Sequence, residues 1–114
     1  MSTIDLHVQA QVVETPSRKF INSANALLAR LQGSVNWDME PIDDNTVYLK
    51  NFRVSDDYRS MGVGSEVVSR LTNLSDISGS IVRLYANMDT VNWWQNLGFM
   101  IISGGAISVL EYQP

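Results

Sequence analysis

Cysteine is absent from this chain of 114 residues, and histidine occurs once, at His7. No disulfide, thiolate nucleophile or zinc–thiolate centre can form within it; one imidazole cannot build a multi-histidine metal site, and a His-based triad would have to rest on His7 alone. A chain without cysteine suits a reducing compartment, so a cytoplasmic location is the expectation. Basic residues are scarce: eight Lys and Arg stand against twelve Asp and Glu, a net charge of −4. That field disfavours DNA, RNA or an anionic membrane as the main partner and suits a cationic small molecule or basic peptide. Long apolar runs are missing too. None reaches the roughly 18 residues of a membrane span, and the most apolar stretch, Ile101–Leu110, is cut by Ser103, Gly104 and Gly105. The segment from Met1 to His7 has neither a basic nor an apolar region of the signal-peptide kind. No repeat, low-complexity tract or linker interrupts the chain, and its length suits one domain over 1–114.

What is present is a clear alternation of strand and helix patterns. Ile4, Leu6, Val8, Ala10 and Val12 share one parity, which predicts a strand over Ile4–Val13. Thr15 and Pro16 suit the cap and first position of a helix. Phe20, Ala24, Leu27, Leu28 and Leu31 extend that helix over Pro16–Leu31, with Gly33 as its stop. A short strand is expected over Val35–Glu40, then a turn over Pro41–Asn45. In the following strand, Thr46–Val54, Val47, Leu49 and Asn51 fall on one side, with Tyr48, Lys50 and Phe52 on the other. A second helix opens at Gly62-Val63-Gly64, carries Val63, Val67, Leu71, Leu74 and Ile77 as its stripe, and ends at Gly79. Ile81–Ala86 reads as a central strand, Thr90–Asn96 as a short helix, and Phe99–Ile102 and Ile107–Tyr112 as two strands around Ser103-Gly104-Gly105. Helices crossing from strand to strand imply parallel pairing in a layered α/β sheet.

The stretch richest in chemistry is Val54-Ser55-Asp56-Asp57-Tyr58-Arg59-Ser60-Met61-Gly62-Val63-Gly64-Ser65. It joins a strand to a helix, and its two glycines remove side chains where the helix start presents unpaired N–H groups. Such a nest accepts phosphate or another anion, with Arg59 beside it for a further contact. A P-loop would need Gly-Lys-Ser/Thr, and a dinucleotide loop a third glycine; neither is here. The same residues also suit an ordinary tight turn with Arg59 as a solvated charge.

This stretch resembles the pyrophosphate loop of the GNAT family of N-acetyltransferases, where Arg or Gln, two variable residues, Gly, one variable residue and Gly or Ala follow a strand. Arg59, Gly62 and Gly64 fit that pattern, Val54 and Tyr58 fit its run-in, and Asp56 stands where the family usually has proline. A second stretch resembles the family's late motif: Asn87, Thr90, Trp93, Trp94, Asn96, Leu97, Gly98 and Phe99. The resemblance implies a mixed, mostly antiparallel sheet flanked by helices, with a parallel central strand pair that splays apart. It implies acetyl-CoA as co-substrate and transfer of the acetyl group to a primary amine of a small molecule or peptide by direct attack. The amides of Met61, Gly62, Val63, Gly64 and Ser65 would hold the pyrophosphate. Backbone groups of Phe52, Arg53 and Val54 would face the amide arm of the co-substrate. Asn87 would bond that arm or cap the short helix.

The departures carry equal weight. Trp94 occupies the place of the family tyrosine that protonates the leaving thiolate, and an indole N–H is no such acid. Tyr85 and Tyr112 are the substitute hydroxyls. An acceptor amine with pKa near 10.4 must shed a proton before attack, and Glu40, within the acidic run Asp38, Glu40, Asp43, Asp44, Asp56 and Asp57, is the candidate base. One helix is evident before Thr46 where the family generally has two, so a second copy completing the acceptor pocket as a homodimer is one expectation. The alternative to an enzyme is a non-catalytic acyl-CoA-binding or regulatory protein on the same fold. A third reading is an unrelated α/β interaction protein.

Overall fold

Thr15 begins the first helix as its sequence position suggests. In the computed structural model, which describes residues 14–59 and 61–114, its Oγ1 accepts from the Arg18 amide at 3.2 Å. Pro16 fills the first position of helix α1 (Pro16–Leu27), where its missing N–H costs nothing. The expected strand over Ile4–Val13, with His7, and Ser60 lie outside the described residues. Helix α1 ends one turn earlier than its apolar spacing predicts. Leu28 is fully buried, and the chain tightens into a 3-10 turn, Ala29–Leu31, to reverse through Gly33 at φ 93°. The tighter i→i+3 pattern extends the apolar periodicity past the α-helix proper.

Strand β1 (Val35–Asp43) runs through Pro41, so the turn shrinks to Asp44 and Asn45. Among the described strands β1 is an edge, and an edge tolerates a residue without an N–H. Asp43 Oδ1 accepts from the Asn45 amide at 2.9 Å, which lowers the Asp43 pKa from its usual value. Strand β2 (Thr46–Val54) has the expected bounds, but its alternation breaks. Asp38 pairs with Lys50 while Asn36 pairs with Arg53, so β2 carries one extra residue, and Asn51 there has φ 55°. Such a bulge inverts parity. Phe52 and Val54 therefore pack against the core that holds Val47 and Leu49, rather than sharing a face with Tyr48 and Lys50.

Helix α2 (Val63–Ser78) carries the chain from β2 to β3 (Ile81–Asn87), which pairs parallel to β2. Its buried face is Gly64, Val67, Val68, Leu71 and Ser75; Ile77, expected on it, is 77% exposed. At its end the buried face passes through Ser75, whose hydroxyl donates to the Ser80 carbonyl just past the left-handed Gly79. A short helix, α3 (Val91–Asn96), leads to β4 (Met100–Ser103) and β5 (Ile107–Tyr112). The sheet order is β1-β2-β3-β5-β4, with every neighbouring pair antiparallel except β2–β3. One α/β layer results, a mixed and mostly antiparallel sheet with helices packed on it. Phe20 of α1, Leu28 just past its end, and Val67 and Leu71 of α2 share one core with Val47, Val82 and Leu110 of the sheet. The second parallel crossover implied by the sequence involves Ile4–Val13, which is not described.

Tyr112 ties the end of β5 to α2 by donating its hydroxyl to Asp76 Oδ1 at 2.8 Å. That bond, then burial, raises the phenol pKa above its ordinary 10.0. The unfolded chain ionises first on raising the pH, so the stabilisation is complete below about pH 10 and fades as the pH climbs toward the folded-state value. Urea midpoints are expected to fall more steeply from about pH 9 to about pH 11 in the parent than in Tyr112→Phe. Parallel profiles would remove Tyr112 as the cause.

Candidate active site

The parallel ladder between β2 and β3 consists of Thr46–Ile81, Val47–Val82 and Tyr48–Arg83. Past Tyr48 and Arg83 the two strands diverge, and a cleft opens between them. One part, about 430 Å³, is lined from β2 by residues including Tyr48, Lys50 and Asn51, and from β3 by Leu84, Tyr85, Ala86 and Asn87. The other, about 410 Å³, is lined by Arg53, Val54, Arg59, Gly62, Gly64, Ser65 and Trp93. Phe52, Thr90 and Trp94 are walls of both.

The second part ends on the start of α2. After β2 the chain makes a 3-10 turn, Asp56–Tyr58, and enters α2 through Gly62 at φ 74°. The Met61 amide donates to the Tyr58 carbonyl at 3.2 Å. Among the described residues, the amides of Gly62, Val63, Gly64 and Ser65 meet no backbone acceptor; the first capping bond is Glu66 N to Gly62 O at 3.0 Å. Among the described residues no side chain caps the start of the helix. These donors, at the positive end of a helix of 16 residues, suit an anion. Of the five amides expected to act together, Met61's is already engaged, and its side chain is exposed. Val63 turns its side chain toward the core.

Arg59 lies against this loop. Its Nε donates to the Val54 carbonyl at 3.3 Å and stands 3.2 Å from Asp56 Oδ1. The aspartate found in place of the family proline thus offsets part of the guanidinium charge. Gly64 is set by close approach rather than dihedral freedom: a Cβ there would lie 2.8 Å from Val54 Cγ2 and 3.5 Å from Trp93 Cζ2.

Trp94 is 7% exposed and packs edge-on against Trp93, Phe99 and Phe52 at 4.7, 5.2 and 5.3 Å. It joins the core to the cleft. Tyr85, 54% exposed, lines the same cleft and meets Tyr48 edge-on at 5.4 Å. Tyr112 is held away from it by Asp76. Asn87 fixes the turn before α3, accepting at Oδ1 from the Asp89 amide at 3.1 Å and from the Thr90 hydroxyl at 3.3 Å; the N-cap position itself is Thr90, and Asn87 also lines the cleft. Glu40 lines neither part. It faces Tyr48 on β1 and accepts from Lys50 Nζ at 2.9 Å. That bond raises the Lys50 pKa, so the ammonium beside the cleft stays charged. Lys50 and Asn51 were missed as lining residues. The switch of parity between Val47-x-Leu49 and Phe52-x-Val54 was the signal available for the bulge that brings Asn51 there.

The family model described as the acetyltransferase (GNAT) family matches residues 7–99. The chain belongs to that family. Solved structures share the fold at low identity. An acetyltransferase from Streptococcus agalactiae is 17% identical, with 71% of this chain and 60% of that one covered at a TM-score of 0.58. ElaA of Escherichia coli is 20% identical, with 70% and 60% covered at 0.59. The PaiA N-acetyltransferase of Thermoplasma acidophilum, solved in complex with coenzyme A, is 15% identical, with 70% and 53% covered at 0.57. The chain spans about six tenths of the length of such structures. A search of curated protein sequences finds no match. Among the described residues, no helix is long and apolar enough to cross a membrane.

Proposed function

We propose that the chain transfers an acetyl group from acetyl-CoA to a primary amine of a small molecule or peptide. The observation that carries this reading is the set of amides at Gly62, Val63, Gly64 and Ser65 that meet no backbone acceptor among the described residues, at a helix start whose Gly62, Gly64 and Ser65 line the cleft where β2 and β3 part. They suit the pyrophosphate, and the bare Cα of Gly64 leaves room that a side chain would fill. The co-substrate supplies an activated thioester. Residues 52–54 line the cleft, and their backbone groups would orient its amide arm; an N–H there would polarise the thioester carbonyl. Asn87 holds the opposite rim. Tyr85, on the wall it shares with Trp94, is the hydroxyl we assign to protonating the departing thiolate. A thiol of pKa near 8.5 leaves without much help, so this assistance adds roughly 10²–10⁴ at most. Glu40 would accept the amine proton through the Lys50 side of the cleft, with water between.

Calorimetric titration with acetyl-CoA, followed by assay of free CoA released with polyamines, aminoglycosides and peptides, tests the reading. Saturable binding with amine-dependent release is expected; absence of binding overturns it. Arg59→Ala is expected to weaken binding only about two- to fivefold, because Arg59 is exposed and partly offset by Asp56 while the amides remain. A loss of a hundredfold would move the anion site from the amides to the guanidinium. The buried indole of Trp94 at the tyrosine position favours a second reading, an acyl-CoA-binding protein without turnover. Tight binding with no release in the presence of any amine selects it.

A further inference from the structure

Asn51 is the only non-glycine residue at positive φ among the described residues. Its 55° lies in the left-handed region, which most side chains avoid and asparagine tolerates best. Its side chain crosses to the neighbouring strand, where Nδ2 donates to Asp38 Oδ2 at 2.8 Å. The bond sits at the break in register: Asp38 is the last β1 residue in step, opposite Lys50, before pairing resumes at Asn36 and Arg53. It therefore ties the extra residue of one strand to the last regular position of the other. β2 walls the cleft from Tyr48 onward, and beyond the extra residue Phe52, Arg53 and Val54 continue that wall toward the start of α2. Inverted parity sends Phe52 against Trp94 at 5.3 Å and Trp93 at 6.1 Å, and sets Val54 over Gly64. Lys50, the cation nearest in register, is occupied by Glu40 and leaves Asp38 to Asn51.

We infer that Asp38 is a positioning residue: by gripping the Asn51 amide it locks the β2 bulge and thereby sets residues 52–54 along the cleft. The consequence for binding rests on the proposed function; the lock itself does not. Both residues are exposed, so variants perturb the lock without emptying the core.

Two readouts separate these layers. In a Trp37→Phe background, Trp93 and Trp94 are the remaining indoles, and their near-ultraviolet circular dichroism reports the Phe52 contact without any ligand. Asp38→Ala is expected to change that spectrum and to raise the acetyl-CoA dissociation constant about five- to twentyfold. Asp38→Asn, which keeps an accepting oxygen, is expected to restore both. In an Asn51→Gly background, where the lock is already gone, Asp38→Ala is expected to add less than about twofold. An unchanged spectrum in Asp38→Ala overturns the lock. A changed spectrum with unchanged affinity overturns the positioning role, as does full additivity of Asp38→Ala and Asn51→Gly. If the parent binds no CoA, the proposed function fails, and the spectra alone still decide the lock.

Discussion

Gly64→Val is expected to reduce CoA affinity by at least about a hundredfold and to lower the thermal midpoint as well. The α2 start and the end of β2 approach so closely that the first added carbon already lies 2.8 Å from Val54 Cγ2, with Trp93 behind it. Overpacking of this kind costs about 1–3 kcal/mol. The relief available is to push α2 off β2, which displaces the amides of Gly62, Val63 and Ser65 with it. An anion site made of backbone donors depends on their convergence, so the binding loss should exceed the stability loss. Gly62→Ala isolates the other variable. Nothing lies within 4 Å of a Cβ there, but φ is 74°. The cost is then conformational, about 1–2 kcal/mol, without a collision in the cleft. Calorimetry on the folded variants checks both, and undiminished affinity in Gly64→Val would contradict the placement of the anion.

Trp94→Ala is expected to give the largest loss of stability of any single change considered, about 3–5 kcal/mol. For a domain of this size that corresponds to a fall in melting temperature of more than about 10 °C. The indole is almost wholly buried and meets aromatic rings from β2, from its own helix and from the residue before β4. Trp94→Phe keeps much of that contact. If the position is packing, turnover in Trp94→Phe should stay close to the parent's, rather than show the roughly 10²–10⁴ loss expected on removal of a general acid. Trp94→Tyr is the informative opposite. Faster CoA release would mean that the ring reaches the sulfur, whereas slower release with reduced stability would mean an unpaired hydroxyl in the wall. Stopped assays of free CoA alongside thermal melts distinguish these outcomes.

Features legible in the sequence are those fixed by local chemistry. Thr15 and Pro16 start α1, the left-handed Gly62 and Gly79 bracket α2, and Thr46 to Val54 forms β2 as read. What escaped depends on pairing across strands. Pro41 belongs to a strand only because β1 is an edge beside β2, and composition alone gives it to a turn. The face of Phe52 was misassigned because one residue, Asn51, resets the count. Glu40 was expected at the end of its strand before a turn, whereas the strand runs on to Asp43 and its register brings Lys50, ten positions on, within 2.9 Å of the carboxylate. Asn87 neither caps α3, whose N-cap position is Thr90, nor is free of local bonds: its side chain fixes the turn at Asp89 while the residue lines the cleft. The loop motif was readable because glycine spacing and a strand-to-helix junction are local. The cleft it serves came only through the family resemblance, which implies a splayed parallel pair; no local pattern gives it, because it arises where a ladder stops.

That short ladder has a mechanical consequence. Past Tyr48 and Arg83, among the described residues, β2 pairs only with β1, and β3 only with β5. The sheet thus consists of two plates, a β1–β2 ribbon and a β3–β5–β4 ribbon, joined at a seam of three residue pairs. Backbone groups on the inner edges of both plates are left for water or a guest. A molecule lodged in the opening and bonding to both edges acts as a brace, and amide hydrogen exchange should slow on both plates together rather than on one wall alone.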